Sequence, residues 1–369
     1  MGTTPLWVGH PCGCDGRTRT TAVRRRRRRR RCGPAGSGGR ASPHGEGGRL
    51  VAVLLCSADT AAGQASLIPK SGPSAYGTAR AVPVGRGPLA AAQGADGRLY
   101  LAVSVSDEVL VLDPDGTPRG RVRVGWAPRC LAPVPGTPFL LVSNAGSDSV
   151  SVVDTSGARE VARVAVGREP GAIAVSPDGC GAVVCERGAG AVAVLDLSGL
   201  ARDGRVGLAA RIALGSAHVQ PRAVALSGAR ALVACARLDV LPVVHIEGGR
   251  VEERVRLPVA GAAPAGVAVT GEGDYALVTL ERIGALAVVD LLEWTVTRLV
   301  PLGARPRGLV IDPADTTVYC ALAGQRALAV VHLDGVDLST TDGRPQFEEI
   351  SVGAGPSSVA LARVDDPAV

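Results

Sequence analysis

Five arginines, Arg86, Arg129, Arg168, Arg222 and Arg307, sit beside a Gly-x-x-Pro step that recurs along this 369-residue chain. A guanidinium offers donors in a fixed fork that fits a carboxylate or a phosphate through two parallel hydrogen bonds. Arginines returned to equivalent positions by a repeat would converge on one centre, which is what an anion site needs. Glu186, Arg187, Glu281 and Arg282, with Arg237 and Arg326, follow short apolar runs later in the same repeat. A purely structural reading competes with the first. In it the arginines pair with Glu186 and Glu281 and keep a rim soluble.

A second set of polar residues ends an apolar run 24 to 26 residues after each repeat proline: Asp113, Asp154, Asp196, His245, Asp290 and His332. One active site needs one constellation, so four repeated aspartates argue against catalysis. Their expected work is to accept backbone N–H bonds in the turn that follows, and His245 and His332 are expected to do the same.

Other chemistry finds little support. The nine cysteines, among them Cys12 and Cys14, have irregular spacings and form no pair of C-x-x-C motifs, so a structural zinc site is not expected. They read as free thiols, several buried as small apolar residues, which favours a reducing compartment. No Gly-x-Ser-x-Gly elbow occurs, and the Gly36–Gly39 stretch lacks the lysine of a phosphate loop. No catalytic residue and no cofactor is expected. With nine aromatics in the whole chain, stacking platforms are scarce. Trp126, beside Pro128, is the one aromatic placed to reach the channel mouth, though packing between blades is the stronger expectation.

Charge divides the chain. Residues 1–48 hold eleven arginines, including the run Arg24–Arg31, against Asp15 and Glu46, so they carry +9 of the net +6 and leave −3 for the rest. The mildly acidic body does not read as a nucleic-acid binder; only the Arg24–Arg31 tract could attract polyanions. This Arg- and Gly-rich segment has no hydrophobic period and reads either as a disordered tail or as a stretch upstream of the true start. An export signal would need an apolar stretch soon after the arginines, and Cys32-Gly33-Pro34 follows instead. As written the sequence reads as cytoplasmic; a misassigned start would permit export. No stretch reaches the ~18 apolar residues of a membrane-spanning helix.

The remaining 49–369 are organised by the repeat. The steps are Gly85/Pro88, Gly125/Pro128, Gly167/Pro170, a stretched Gly215/Pro221, Gly261/Pro264, Gly303/Pro306 and Gly353/Pro356, with prolines 40, 42, 51, 43, 42 and 50 residues apart. The two long intervals reflect insertions around Gly204–Ala209 and Asp337–Gln346. Within the third repeat, Gly171–Ser176, Ala182–Cys185, Ala191–Asp196 and Arg205–Ile212 read as four short strands separated by Gly, Pro and Asp turns. Four-stranded meanders repeated around an axis make an all-β propeller.

The ends close the circle. The seventh step leads into Ser358–Arg363, a first strand without its blade. Arg49–Leu55, Ala65–Ile68 and Ala79–Val82 read as strands two to four of a blade without its first. Joined, they complete a seven-bladed β-propeller of four-stranded antiparallel blades and leave no open edge.

The repeat resembles the forty-residue YVTN β-propeller family. The resemblance rests on Val166-Gly167 through Gly179, on Leu141-Val142-Ser143-Asn144 and on Val150-Ser151-Val152-Val153-Asp154. It covers about residues 49–369, with departures: the Asn144 position becomes Glu186, Cys235 or Leu280 elsewhere. It implies a non-enzymatic binding or protein-interaction scaffold of a kind that is often exported. With the arginines above, the expected partner is an unknown protein or a small anionic ligand at the channel mouth, and the chain is expected to be a monomer. The resemblance also implies that the link into each first strand and the loop between strands two and three share one face. The alternative is a propeller hydrolase resembling the lactonases, for which Glu186, Glu281 and His218 would be the available acid, base or metal-binding groups.

Overall fold

The computed structural model describes residues 51–72, 74–340 and 345–365. The Arg24–Arg31 tract, Cys12, Cys14 and the expected 1–48 segment lie outside the described residues.

The described chain forms seven antiparallel sheets in a ring. Blade 1 runs Pro88–Gln93, Leu99–Val103, Glu108–Leu112 and Pro118–Arg123, and blade 2 runs Pro128–Pro133, Phe139–Asn144, Ser149–Asp154 and Arg159–Ala165. Blade 3 comprises Pro170–Val175, Gly181–Glu186, Ala191–Asp196 and Gly207–Ala213; blade 4 comprises Pro221–Ser227, Arg230–Cys235, Val240–His245 and Arg250–Arg256. Blade 5 is Pro264–Val269, Tyr275–Leu280, Ala285–Asp290 and Thr295–Pro301, and blade 6 is Pro306–Ile311, Thr317–Leu322, Ala327–His332 and Gln346–Ser351. Every first strand begins on its repeat proline. Proline is tolerated there because a strand's first residue need not donate to the ladder.

Blade 7 is shared between the ends. Pro356–Asp365 is its first strand, Val51–Asp59 its second and Gln64–Gly72 its third, with Arg80–Pro83 and the short Ala75–Tyr76 both paired to the third. Leu55 pairs with Leu361, Leu54 with Ala362 and Val53 with Arg363, so the expected closure is present. Two expectations shift in detail. The fourth strand of blade 3 starts at Gly207 instead of Arg205, because Leu200–Asp203 makes one helical turn before it. The fourth strand of blade 7 is two pieces where one was expected.

Burial follows position in the blade. Second strands such as Leu99–Val103 and Gly181–Glu186 are buried throughout, since neighbouring blades cover both their faces. Fourth strands alternate, as Arg159–Ala165 does, because one face meets solvent. Seven apolar clusters fill the ring, one per blade interface. Leu131, Leu140 and Val142 of blade 2, for example, pack on Tyr100, Val109 and Val111 of blade 1. The blade 6–7 cluster joins Tyr319 and Leu328 to Leu55 and Ile68. Each fully buried aliphatic side chain contributes about 1.5–3 kcal/mol, so closure by Val, Leu and Ala compensates for the scarcity of aromatics.

Candidate functional site: the arginine-lined channel mouth

The Gly-x-x-Pro step is a repeated backbone device. The residue before each proline takes positive φ: Gly87, Ala127, Glu169, Gln220, Ala263, Arg305 and Gly355, all between 51° and 74°. Its carbonyl accepts an N–H from the loop between strands two and three of the same blade. Examples are Ala145 N to Ala127 O, Arg187 N to Glu169 O and Glu281 N to Ala263 O. Step and loop therefore share one face of the ring.

The residue after each proline sits in a β-bulge, because in every blade the register to the second strand slips just past the proline. Pro221 faces Cys235 while Ala223 faces Ala234, which leaves Arg222 without an opposite number. Pro264, Pro306 and Pro128 begin the same slip. A bulge re-aims the side chain of its extra residue. The bulged residues, in blade order, are Leu89, Arg129, Gly171, Arg222, Ala265, Arg307 and Ser357.

These alternate in size with the first residue of the neighbouring loop. Arg129, Arg222 and Arg307 stand beside Ala145, Ala236 and Ala323, whereas Gly171 and Ala265 stand beside Arg187 and Glu281. The contact is direct in blade 3, where a Cβ on Gly171 would lie 3.0 Å from Arg187 Cδ. In blade 7 two hydroxyls meet instead, with Thr60 Oγ1 2.9 Å from Ser357 Oγ. Blades 2 to 6 thus each place one charged side chain over the channel, from one of two positions.

The five charges split into two groups. Glu281 Oε1 accepts from Arg305 Nη2 at 3.0 Å and from Arg307 Nε at 3.2 Å, and Glu281 Oε2 pairs with Arg222. Burial raises the Glu281 carboxyl, but Arg307 and Arg222 and the hydrogen bonds from Arg222 and Arg305 outweigh it and hold it below the usual range. Arg129 and Arg187 have no such partner, and the Nε of each is buried without a hydrogen bond. Burial, then the field of Arg187, pulls the Arg129 guanidinium down to about 10, with Glu169 opposing and Arg222 and Arg307 adding to the shift. Arg187 is lowered by burial first and then by Arg222. The four arginines share one field, and two of them feel Glu169 without making an ion pair with it.

The remaining expected site residues are elsewhere. Arg86, Arg168 and Arg282 are exposed on the step and the loops and do not join the buried cluster. They follow the glycine or lie deeper in the loop, so they miss the bulge. Glu186 is sealed from solvent. Its Oε1 accepts the Gly167 N–H at 2.6 Å, and Arg211 Nε lies 2.6 Å from Oε2 as an ion pair without hydrogen-bond alignment. Arg305 and Arg211 were not anticipated. Only the offset of Arg305 by two from Arg307 hinted at the former. Trp126, expected between blades, is 67 % exposed on the mouth face, and its backbone N–H is held by Ser147 Oγ at 3.1 Å.

At the opposite end, Asp154, Asp196 and Asp290 accept backbone N–H bonds from Ser156, Ser198 and Leu292 at 2.8 to 2.9 Å. His245 does the same through Nδ1 toward Gly248 at 2.8 Å. Asp113 instead binds the Arg119 side chain, and Asp115 holds that turn. His332 differs too and meets Glu348 at 2.9 Å. Among the described residues no group of three or more His, Cys, Asp or Glu could hold a metal. Burial pushes the Cys56, Cys235 and Cys320 thiols up to about 12, far from the thiolate form that reacts.

Fold and site together define a seven-bladed propeller with an unevenly neutralised cationic mouth. No protein-family model and no curated protein matches the chain. Among solved structures it is similar to hydrazine synthase from Kuenenia stuttgartiensis, 22% identical over 76% of this chain and 96% of that one, with TM-score 0.64. It is similar to the periplasmic gluconolactonase PpgL of Pseudomonas aeruginosa at 17% identity, 85% and 100% coverage and TM-score 0.70. Virginiamycin B lyase from Staphylococcus aureus follows at 10%, 72% and 84%, with TM-score 0.58. At these identities the likeness is one of fold. Among the described residues no helix is long and apolar enough to cross a membrane.

Proposed function

We propose that this chain is a binding or interaction scaffold of the YVTN propeller type, whose channel mouth takes a small anionic ligand. The observation that carries this reading is the pair Arg129 and Arg187, each with a buried Nε that has no partner. A buried donor left unmade costs about 1–3 kcal/mol, more for a charged group, and an anion held by the open edges of the two guanidiniums would offset the charge that this leaves uncompensated. The bulge that aims Arg129 and the glycine that makes room for Arg187 support the same reading.

Hydrolysis of a lactone, suggested by the fold of the gluconolactonase, is supported less well. Glu186 is sealed, Glu281 is committed to three arginines, and His218 is exposed in the link into blade 4. A thermal-shift screen of phosphate, sulfate, acetate and citrate, run beside a lactone hydrolysis panel, separates the two. Stabilisation by anions without turnover fits the scaffold. Turnover above background that disappears in Glu281→Gln would replace it with the enzyme.

A further inference from the structure

The anion reading leaves the ligand's charge and body open, and two features of the mouth narrow both. Arg129 and Arg187 come from adjacent blades, and among the described residues neither makes an ion pair or a hydrogen bond with a carboxylate, although the charge of Glu169 reaches both. A monoanion offers too little charge for a mouth that, among the described residues, gathers Arg129, Arg187, Arg222, Arg305 and Arg307 against only Glu281 and Glu169. A phosphomonoester carries about −1.5 to −2 and three acceptor oxygens, enough to take one fork on each side. On the far side of the cluster Arg305, Arg307 and Arg222 share the single carboxylate of Glu281, so the excess positive charge extends across the mouth, while the donors without a hydrogen bond are at this pair.

The second feature is Trp126. It follows Gly125, in the slot that Arg86 and Arg168 fill in their blades, so it stands on the solvent rim of the mouth, three residues and at most about 10 Å of chain from Arg129, and is 67 % exposed. Inorganic phosphate would leave that surface unused. An apolar or planar body attached to the phosphate would cover it, and a flat ring stacked on an indole adds affinity to that of the head.

We propose, resting on the anion reading above, that the ligand is an organic phosphomonoester, its dianionic head bridging Arg129 and Arg187 and its apolar or ring-bearing body lying on Trp126. The probes are inorganic phosphate, phenyl phosphate, acetate and benzoate, titrated into the whole protein by calorimetry and by tryptophan fluorescence. Phosphate and phenyl phosphate should bind at least tenfold more tightly than acetate and benzoate, and phenyl phosphate should exceed inorganic phosphate severalfold. Phenyl phosphate should change the emission of the wild type and not of Trp126→Phe. Arg187→Ala, whose side chain lies over a glycine and supports no strand, should cost tenfold or more for both phosphates. Trp126→Ala should remove only the phenyl advantage. Benzoate binding as tightly as phenyl phosphate would overturn the phosphomonoester and leave the anion site standing. If none of the four binds, both fall.

Discussion

A Cβ on Gly171 would lie 3.0 Å from Arg187 Cδ, closer than ordinary van der Waals contact. The glycine therefore leaves space for an arginine that reaches the channel from the loop instead of from the strand. Gly171 φ is not in the left-handed region, so an alanine there strains no backbone. The contacting atoms belong to a flexible side chain, and the fold should absorb the change. Gly171→Ala should shift the melting temperature by less than about 2 °C, consistent with a surface-level ΔΔG. It should weaken binding of inorganic phosphate severalfold, as read by calorimetry.

Glu281 acts as an internal counter-ion. Its folded carboxyl is held low, so its stabilising contribution is present above the unfolded value of about 4.3 and is lost as pH falls through the folded one. Glu281→Gln should cost about 1–3 kcal/mol at pH 7 and flatten the acid arm of a urea-midpoint profile taken between pH 3 and 7. It should also strengthen phosphate binding, since three arginines lose their built-in anion.

Asp59 shows the opposite sign. It lies in the blade that closes the ring and accepts from Ser66 at 2.5 Å, Ser57 at 2.7 Å and Gly353 N at 3.0 Å. Burial raises its carboxyl, and these bonds only partly offset the rise. A raised folded value means that its contribution is full below the unfolded value of about 3.9 and fades as pH rises through the folded one. The urea midpoint of Asp59→Asn relative to wild type should therefore improve from pH 4 to pH 8. A difference that stays flat would show that burial does not govern this carboxyl.

The step before each proline tests the backbone account. Ala263 has φ 56°, a conformation that costs an L-residue roughly 1–2 kcal/mol. Ala263→Gly should be neutral or should stabilise by up to about 1 kcal/mol, after glycine's entropic cost. Gly355→Ala reverses the change at φ 68° and adds a 2.9 Å approach to Ala61 Cβ. It should destabilise by more than 1 kcal/mol in a urea melt.

The ring was legible because its two markers, proline and the polar residue after the third strand, each hold a fixed offset. The mouth was legible only in part. Arg129 and Arg168 both flank a step, yet the bulge sends the residue after the proline into the channel and leaves the residue after the glycine in solvent. Periodicity does not register a one-residue slip. Glu186 misled for a related reason. Its charge suggested chemistry, whereas its place at the end of the second strand, shared with Asp59, lets it catch a glycine N–H. The step glycines serve two purposes that look alike in sequence. Gly167 makes room for Glu186 and Arg211, while Gly261 supplies φ 68° in a place where only Arg282 Nη1 comes near. Trp126 looked like core because aromatics are scarce, but its slot is on the step, outside the blade interfaces.

The most direct measurement is calorimetric titration of inorganic phosphate and acetate into the wild-type protein and into Arg129→Ala/Arg187→Ala, with folding checked by circular dichroism. Saturable binding to wild type that vanishes in the folded double variant is the predicted result. The same affinity in both proteins would contradict an anion site built on these two arginines.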